Sequence, residues 1–207
     1  MKLKELLESS SDTFQMYHGG KEWIRKPSDI KPSKSGRYEM GVGLYFTNSK
    51  LTARGYAKGS RSLHLVDIKS DIKDVDDVYI DVEIMVDFVR NCPRLRKKEI
   101  LIADIHRNQQ RTGKKEVSLG LLNNLIINYE VGAGSVGLEI TKFFVEHGGQ
   151  CNWDGRSGKE WWLVIFDPTV IVGYKKLTPT DQDNYPWMLE IPPSVLPKYA
   201  RANTKNY

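Results

Sequence analysis

The 207-residue chain has little of several features that mark whole classes of protein. It has two cysteines, Cys92 and Cys151, with no metal-like spacing; this usage suits a reducing compartment. No apolar run approaches ~18 residues, so no membrane-spanning helix is expected. The amino-terminal MKLKELLESSSD begins with a basic residue, but Glu5 and Glu8 interrupt its apolar stretch at once. It reads as a short helix rather than a secretory signal, and a cytoplasmic protein is the expectation. A GxGxxG fingerprint is also missing. The glycine-rich VGAGSVG at 131–137 offers only Gly132, Gly134 and Gly137, with no clear strand before it, and is read as a flexible connection. No internal repeat exists beyond the tetrapeptide GKEW, at 20–23 and 158–161, whose flanks do not match.

With 40% hydrophobic and 28% charged residues, the chain has the balance of one globular domain with a full core. The net charge of +5 is mild but unevenly spread. Eight acids against two lysines fall between Asp67 and Asp87, and eight bases against two acids between Arg94 and Lys115. Acidic and basic faces that solvate one domain account for this pattern. The basic segment is also a weak pointer to nucleic acid, because lysines and arginines release counterions from a phosphate backbone.

Residues 14–18, FQMYH, read as a strand ending in a Gly-Gly turn. Pro27, Pro32, Gly36 and Gly41 make 24–42 a long loop, a length that is usually functional in a compact domain. LYFT (44–47) is a second strand, after which Asn48 or Ser49 caps a helix to about Lys58. LHLVDI (63–68) is a third. Apolar spacing of helical period marks 78–91, 94–110, 117–128 and 138–147. EWWLVIFDP (160–168) and VIVGYKKL (170–177) are the strongest strand signals, split by Asp167-Pro168. From Thr178 on, prolines punctuate a tail expected to wrap the surface. The expectation is a single α+β domain over 1–207, with a mixed sheet, a helical insertion at about 78–147 and a surface tail from about 178.

Three segments carry candidate chemistry: YHG at 17–19, GVGLYFTNSKLTARGYA at 41–57 and KEWWLVIFDP at 159–168. Each alone has an ordinary explanation. A histidine at a strand end is often structural, a Tyr-Phe pair is usually core, and a glutamate opening a strand is usually solvated. In this order and spacing they resemble the ADP-ribosyltransferase superfamily, in its His-Tyr-Glu branch of diphtheria-toxin-like and poly(ADP-ribose)-polymerase-like enzymes and small bacterial or phage effectors. The likeness covers residues 14–68 and 150–177.

The resemblance implies a split mixed β-sheet of the ADP-ribosyltransferase type with an inserted helical block, and NAD as substrate. It implies that His18 bonds a ribose hydroxyl of the adenosine half, and that Gly19 presents its backbone to the nicotinamide carboxamide. Tyr45 and Tyr56 would stack on the nicotinamide ring, and Thr47 belongs to the same NAD-binding set. Glu160 would be the catalytic residue, holding the 2′-hydroxyl and stabilising an oxocarbenium-like transition state. Arg25, Arg37 and Arg54 are the candidates for the pyrophosphate, the two loop arginines leading. Gly158 stands two before Glu160, where arginine-modifying relatives carry Glu or Gln, which speaks against arginine as acceptor. The implied activity is mono-ADP-ribosyl transfer to a macromolecule, RNA, DNA or protein, by a toxin or effector that an antitoxin-like partner could restrain. An NAD glycohydrolase, a non-enzymatic NAD or ADP-ribose binding module, and a basic RNA-binding protein remain open beside it. No metal is expected.

Overall fold

The computed structural model describes residues 12–23, 40–57, 62–130, 134–155 and 159–198. The expected amino-terminal helix, nearly all of the 24–42 loop, Arg25, Arg37 and Gly158 lie outside them. Six strands form one sheet: β1 (Thr13–Gly20), β2 (Leu44–Thr47), β3 (Ser62–Lys69), β6 (Cys151–Gly155), β7 (Trp161–Ile165) and β8 (Ile171–Leu177), in the order β6-β7-β2-β1-β3-β8. A small ribbon of β4 (Tyr79–Asp81) and β5 (Glu116–Ser118) stands apart. The helices are α1 (Lys50–Tyr56), α2 (Val82–Asn91), α3 (Lys98–Thr112), α4 (Leu119–Tyr129), α5 (Gly134–Glu146) and the short α6 (Pro179–Asp183).

The architecture is α+β, but the expected mixed sheet is corrected: every pairing between these strands is antiparallel. No helix among the described residues returns the chain to run parallel beside the strand it left, which a parallel pair requires. The helical block instead carries the chain from β3 near one end of the sheet to β6 at the far edge. The order is continuous, yet its two halves differ sharply in how they join. β1 and β3 pair along eight residues, Thr13↔Lys69 through Gly20↔Ser62. β2 and β7 pair along all four residues of β2. Between β1 and β2 there is a single register pair, Tyr17↔Thr47.

Alternation along the strands sends side chains to two cores. Leu44, Phe46, Trp153, Leu163 and Ile165 pack with Phe14, Met16, Val66 and Ile68 on one face. Val164 and Phe166 meet α2, α4 and α5 on the other, through Val86, Leu122 and Phe144, with Tyr45 and Trp162 at the margin. The expected helices at 78 and 117 begin four and two residues later. Ile80 and Val117 are buried partners in the β4–β5 ribbon, and its ends supply caps: Asp81 accepts from Glu83 N and Ser118 from Leu121 N. α5 begins at Gly134, inside the stretch read as a flexible connection. The CNW stretch, assigned no strand from sequence, opens β6.

Two buried carboxylates fasten the helical block. Glu130 Oε1 accepts from Arg96 N at 2.7 Å and Lys97 N at 2.6 Å. It thus caps α3, whose own N-cap residue makes no side-chain bond. Asp74 accepts from Asp76 N at 2.7 Å and Trp153 N at 2.8 Å, tying the turn after β3 to β6. Burial pushes its carboxyl up to about 7, against the pull of those two donors.

The expected surface tail is also corrected, because it completes the core. Leu189, Ile191, Val195 and Leu196 are buried, and each such side chain contributes about 1.5–3 kcal/mol by the area it withdraws from water. Lys50, 2% exposed, donates from Nζ to the carbonyls of Gln182 and Tyr185 and lies 4.4 Å from the Trp187 ring. Replacing Lys50 by Met keeps the stem and leaves both carbonyls unpaired. It is expected to cost about 1–3 kcal/mol in urea unfolding, and to make the segment beyond Leu177 more sensitive to protease than in wild type.

Candidate functional site

The site is built where β2 and β7 end together. Tyr45 pairs with Val164 and Thr47 with Trp162, so these four side chains share one face of the sheet. Glu160 stands immediately before β7. Its Oε1 accepts from Trp162 Nε1 at 2.7 Å and from Thr47 Oγ1 at 3.3 Å. Both donors take the same oxygen, and Oε2 accepts from no described residue. Tyr56, at the end of α1, presents its ring edge-on to Trp162 at 5.9 Å between centroids and remains half exposed. Carboxylate, hydroxyl, indole and phenol are therefore contiguous, the hydroxyl buried and the other three partly open to solvent.

Tyr45 belongs to this face, but its hydroxyl is committed. It donates to Gly41 O at 2.8 Å and accepts from Met40 N at 3.1 Å, which anchors the turn entering β2. Its ring is partly buried against the helical core.

His18 lies elsewhere. It shares a face with Met16 and Phe14, opposite the face that bears Thr47 and Glu160. Its ring sits among Trp23 at 4.6 Å, Phe46 at 5.4 Å and His64 at 6.0 Å. Nδ1 contacts Tyr45 O at 2.7 Å; a carbonyl can only accept, so Nδ1 carries the proton and Nε2 is left as an acceptor. Burial holds the imidazole down to about 4, outweighing the favourable carbonyl bond and adding to the repulsion from His64. The ring is neutral at pH 7.

Gly19 faces α1. A Cβ there would come within 1.8 Å of Ala53 O, so the helix seats on this glycine and fills the space the resemblance reserves for a ligand on that side. Arg54 is exposed on α1, its guanidinium carbon 5.8 Å from the Trp187 ring.

The structure thus brings together Tyr45, Thr47, Tyr56 and Glu160. It joins His18 to them only through the Tyr45 carbonyl, and gives Arg54 to the C-terminal segment. Sequence reasoning missed Trp162, although strand alternation from Glu160 places it on the same face. It also missed His64, fully buried, stacked on Trp23 at 5.2 Å and accepting from Trp23 N at 3.4 Å. Only the register His18↔His64 brings the two histidines together. No group of three or more His, Cys, Asp or Glu among the described residues is arranged to hold a metal, and no described helix is long and apolar enough to cross a membrane. No protein-family model matches the chain, and neither a curated protein nor a solved structure matches it.

A folded pKa of about 4 against an ordinary 6.5 means that the folded state resists protonation of His18. The stability contributed by the neutral ring is full above 6.5 and is lost as pH falls toward 4. In a histidine NMR titration, one Cε1–H resonance, assigned by its absence in His18→Gln, is expected to move near pH 4. A transition near 6.5 would show that the ring is not enclosed.

Proposed function

We propose that this chain is an NAD-cleaving ADP-ribosyltransferase that modifies a macromolecular acceptor, nucleic acid or protein. The observation that carries the reading is the Glu160 carboxylate. One oxygen is held by Trp162 and Thr47, the other accepts from no described residue, and Tyr45 and Tyr56 flank the same half-buried carboxylate and indole. Two phenol rings and an indole offer flat apolar area to a cationic nicotinamide ring. The fixed carboxylate is placed to accept a bond from the ribose 2′-hydroxyl and to stabilise positive charge as it grows on the sugar. The bond from ribose C1′ to the nicotinamide nitrogen breaks, and its electron pair leaves with nicotinamide, neutralising the pyridinium. A nucleophile of the acceptor then bonds to C1′ and gives up its proton.

His18 enters as a neutral group. Its Nδ1–H ties β1 to β2 behind Tyr45, on the face of the sheet opposite Glu160, so its part is to hold the strand that carries Tyr45 and Thr47. Basic residues along α3 and its flanks, among them Arg107, Arg111, Lys114 and Lys115, are exposed and favour an acidic acceptor such as nucleic acid. Small effectors of this kind act inside cells and are commonly restrained by a partner protein, a setting in keeping with the two unpaired, buried cysteines.

The two GKEW segments supply the discriminating test. Glu22 is an exposed residue paired with Lys176 at 2.6 Å, and such pairs contribute little. With labelled NAD and a cell lysate, Glu160→Gln is expected to lower NAD consumption by about 10²-fold or more, and Glu22→Ala to leave it unchanged. Label removed by nuclease identifies a nucleic-acid acceptor, and label removed by protease a protein. Accumulation of free ADP-ribose alone would make water the acceptor. No consumption by the wild-type protein would overturn the reading.

A further inference from the structure

Asn48, buried at the end of β2, commits its polar groups to two segments distant in sequence. Its backbone N–H donates to Trp161 O at 3.2 Å, and its Oδ1 accepts from Trp161 N at 2.8 Å. Its Nδ2 donates to Lys159 O and to Leu189 O, each at 3.1 Å, and its carbonyl accepts from Leu189 N at 2.9 Å. These bonds grip the residues immediately before and after Glu160 without touching Glu160 itself. Lys159 has φ 68, the one non-glycine residue with positive φ among the described residues. Such a conformation costs about 1–3 kcal/mol and persists only where the surroundings over-determine it. The grip of Asn48 on Lys159 O and Trp161 N is that surrounding.

We infer that Asn48 is a positioning residue: by clamping the backbone on both sides of Glu160 it sets the carboxylate against Trp162 Nε1 and Thr47 Oγ1, and through Leu189 it makes that placement depend on the docked C-terminal segment. The side chain must donate and accept from one short, planar head. Aspartate keeps the acceptor for Trp161 N but turns a charge toward two carbonyl oxygens. The functional consequence rests on the reading of Glu160 as the catalytic carboxylate; the geometric claim does not.

The test separates the two. The Trp162 indole N–H bonds to Glu160 Oε1, so its resonance in a proton–nitrogen spectrum reports the carboxylate position directly, and Glu160→Gln calibrates its shift. Asn48→Asp is expected to move this resonance, to speed amide exchange at Trp161, and to leave the amides of β3 protected. NAD turnover is expected to fall by on the order of 10²-fold, the loss that follows from displacing a catalytic group by about 1 Å, with KM for NAD unchanged. Glycine adopts positive φ without strain, so adding Lys159→Gly to Asn48→Asp is expected to restore part of both the shift and the turnover. This double variant also serves if Asn48→Asp alone fails to fold. An unmoved Trp162 resonance in Asn48→Asp, or full turnover in Asn48→Asp when Glu160→Gln is inactive, would overturn the inference. A moved resonance in a protein that never consumes NAD would uphold the clamp and dispose of the enzymatic reading instead.

Discussion

The contact between His18 Nδ1 and the carbonyl of Tyr45, 2.7 Å long, is the constraint on which the rest of the structure turns. A six-stranded sheet normally holds neighbouring strands by a ladder of backbone bonds, but β1 and β2 share a single register pair. A side chain supplies what the ladder lacks. It does so by donating from Nδ1, and the enclosure by Trp23, Phe46 and His64 keeps the ring neutral by making a charge costly, against the pull of that bond. The half-sheet β6-β7-β2 is thereby attached to β1-β3-β8.

That loose join lets one sheet serve two purposes. On one face, aromatic and aliphatic side chains close over the histidines. On the other, the ends of β2 and β7 lie beside α1, where Glu160 and Trp162 are half-buried over the buried Thr47 and Tyr56 is exposed. The carboxylate sits at a strand entrance, with an indole and a threonine hydroxyl donating to one of its oxygens, so it is oriented while staying half-buried. The C-terminal segment is part of the same construction. Lys50 and Asn48, on either side of the α1 N-cap Ser49, each bind its backbone carbonyls. The strand end that bears the site and the helix that flanks it are therefore both held by residues more than 130 positions away.

Much of this was legible locally. β1, β2, β3, β7 and β8 stand within a few residues of where alternation and turn chemistry place them, and Ser49 caps α1 as a serine before an amphipathic segment should. The β4–β5 ribbon was hidden because three-residue strands are too short to show a period, and their buried Ile80 and Val117 fit the helical pattern that follows them equally well. The tail was misjudged because five prolines signal irregular backbone but say nothing about burial. Leu189, Ile191, Val195 and Leu196 reach the core with nothing more regular than a single 3-10 turn at Pro193–Val195 to announce them. At the site, Tyr45, Thr47, Tyr56 and Glu160 could be picked out by motif and order. His18 and Gly19 were picked out as well, yet the bond of one to the Tyr45 carbonyl and the close approach of Ala53 O to the other give them structural duties that a motif does not express.

What the sequence determined by itself was the set of elements, since strand alternation, helical period and capping act between residues a few positions apart. It also determined which side chains in each strand share a face. What only the tertiary structure decided was which faces and ends meet: that the sheet is antiparallel throughout, that His18 and Glu160 stand on opposite sides of it, and that Asn48 reaches across 111 residues to Lys159 O and 141 to Leu189 O. The reason is physical. Register and docking are set by the joint packing of distant apolar surfaces and by buried polar groups that must each find a partner, and neither constraint leaves a periodic trace along the chain.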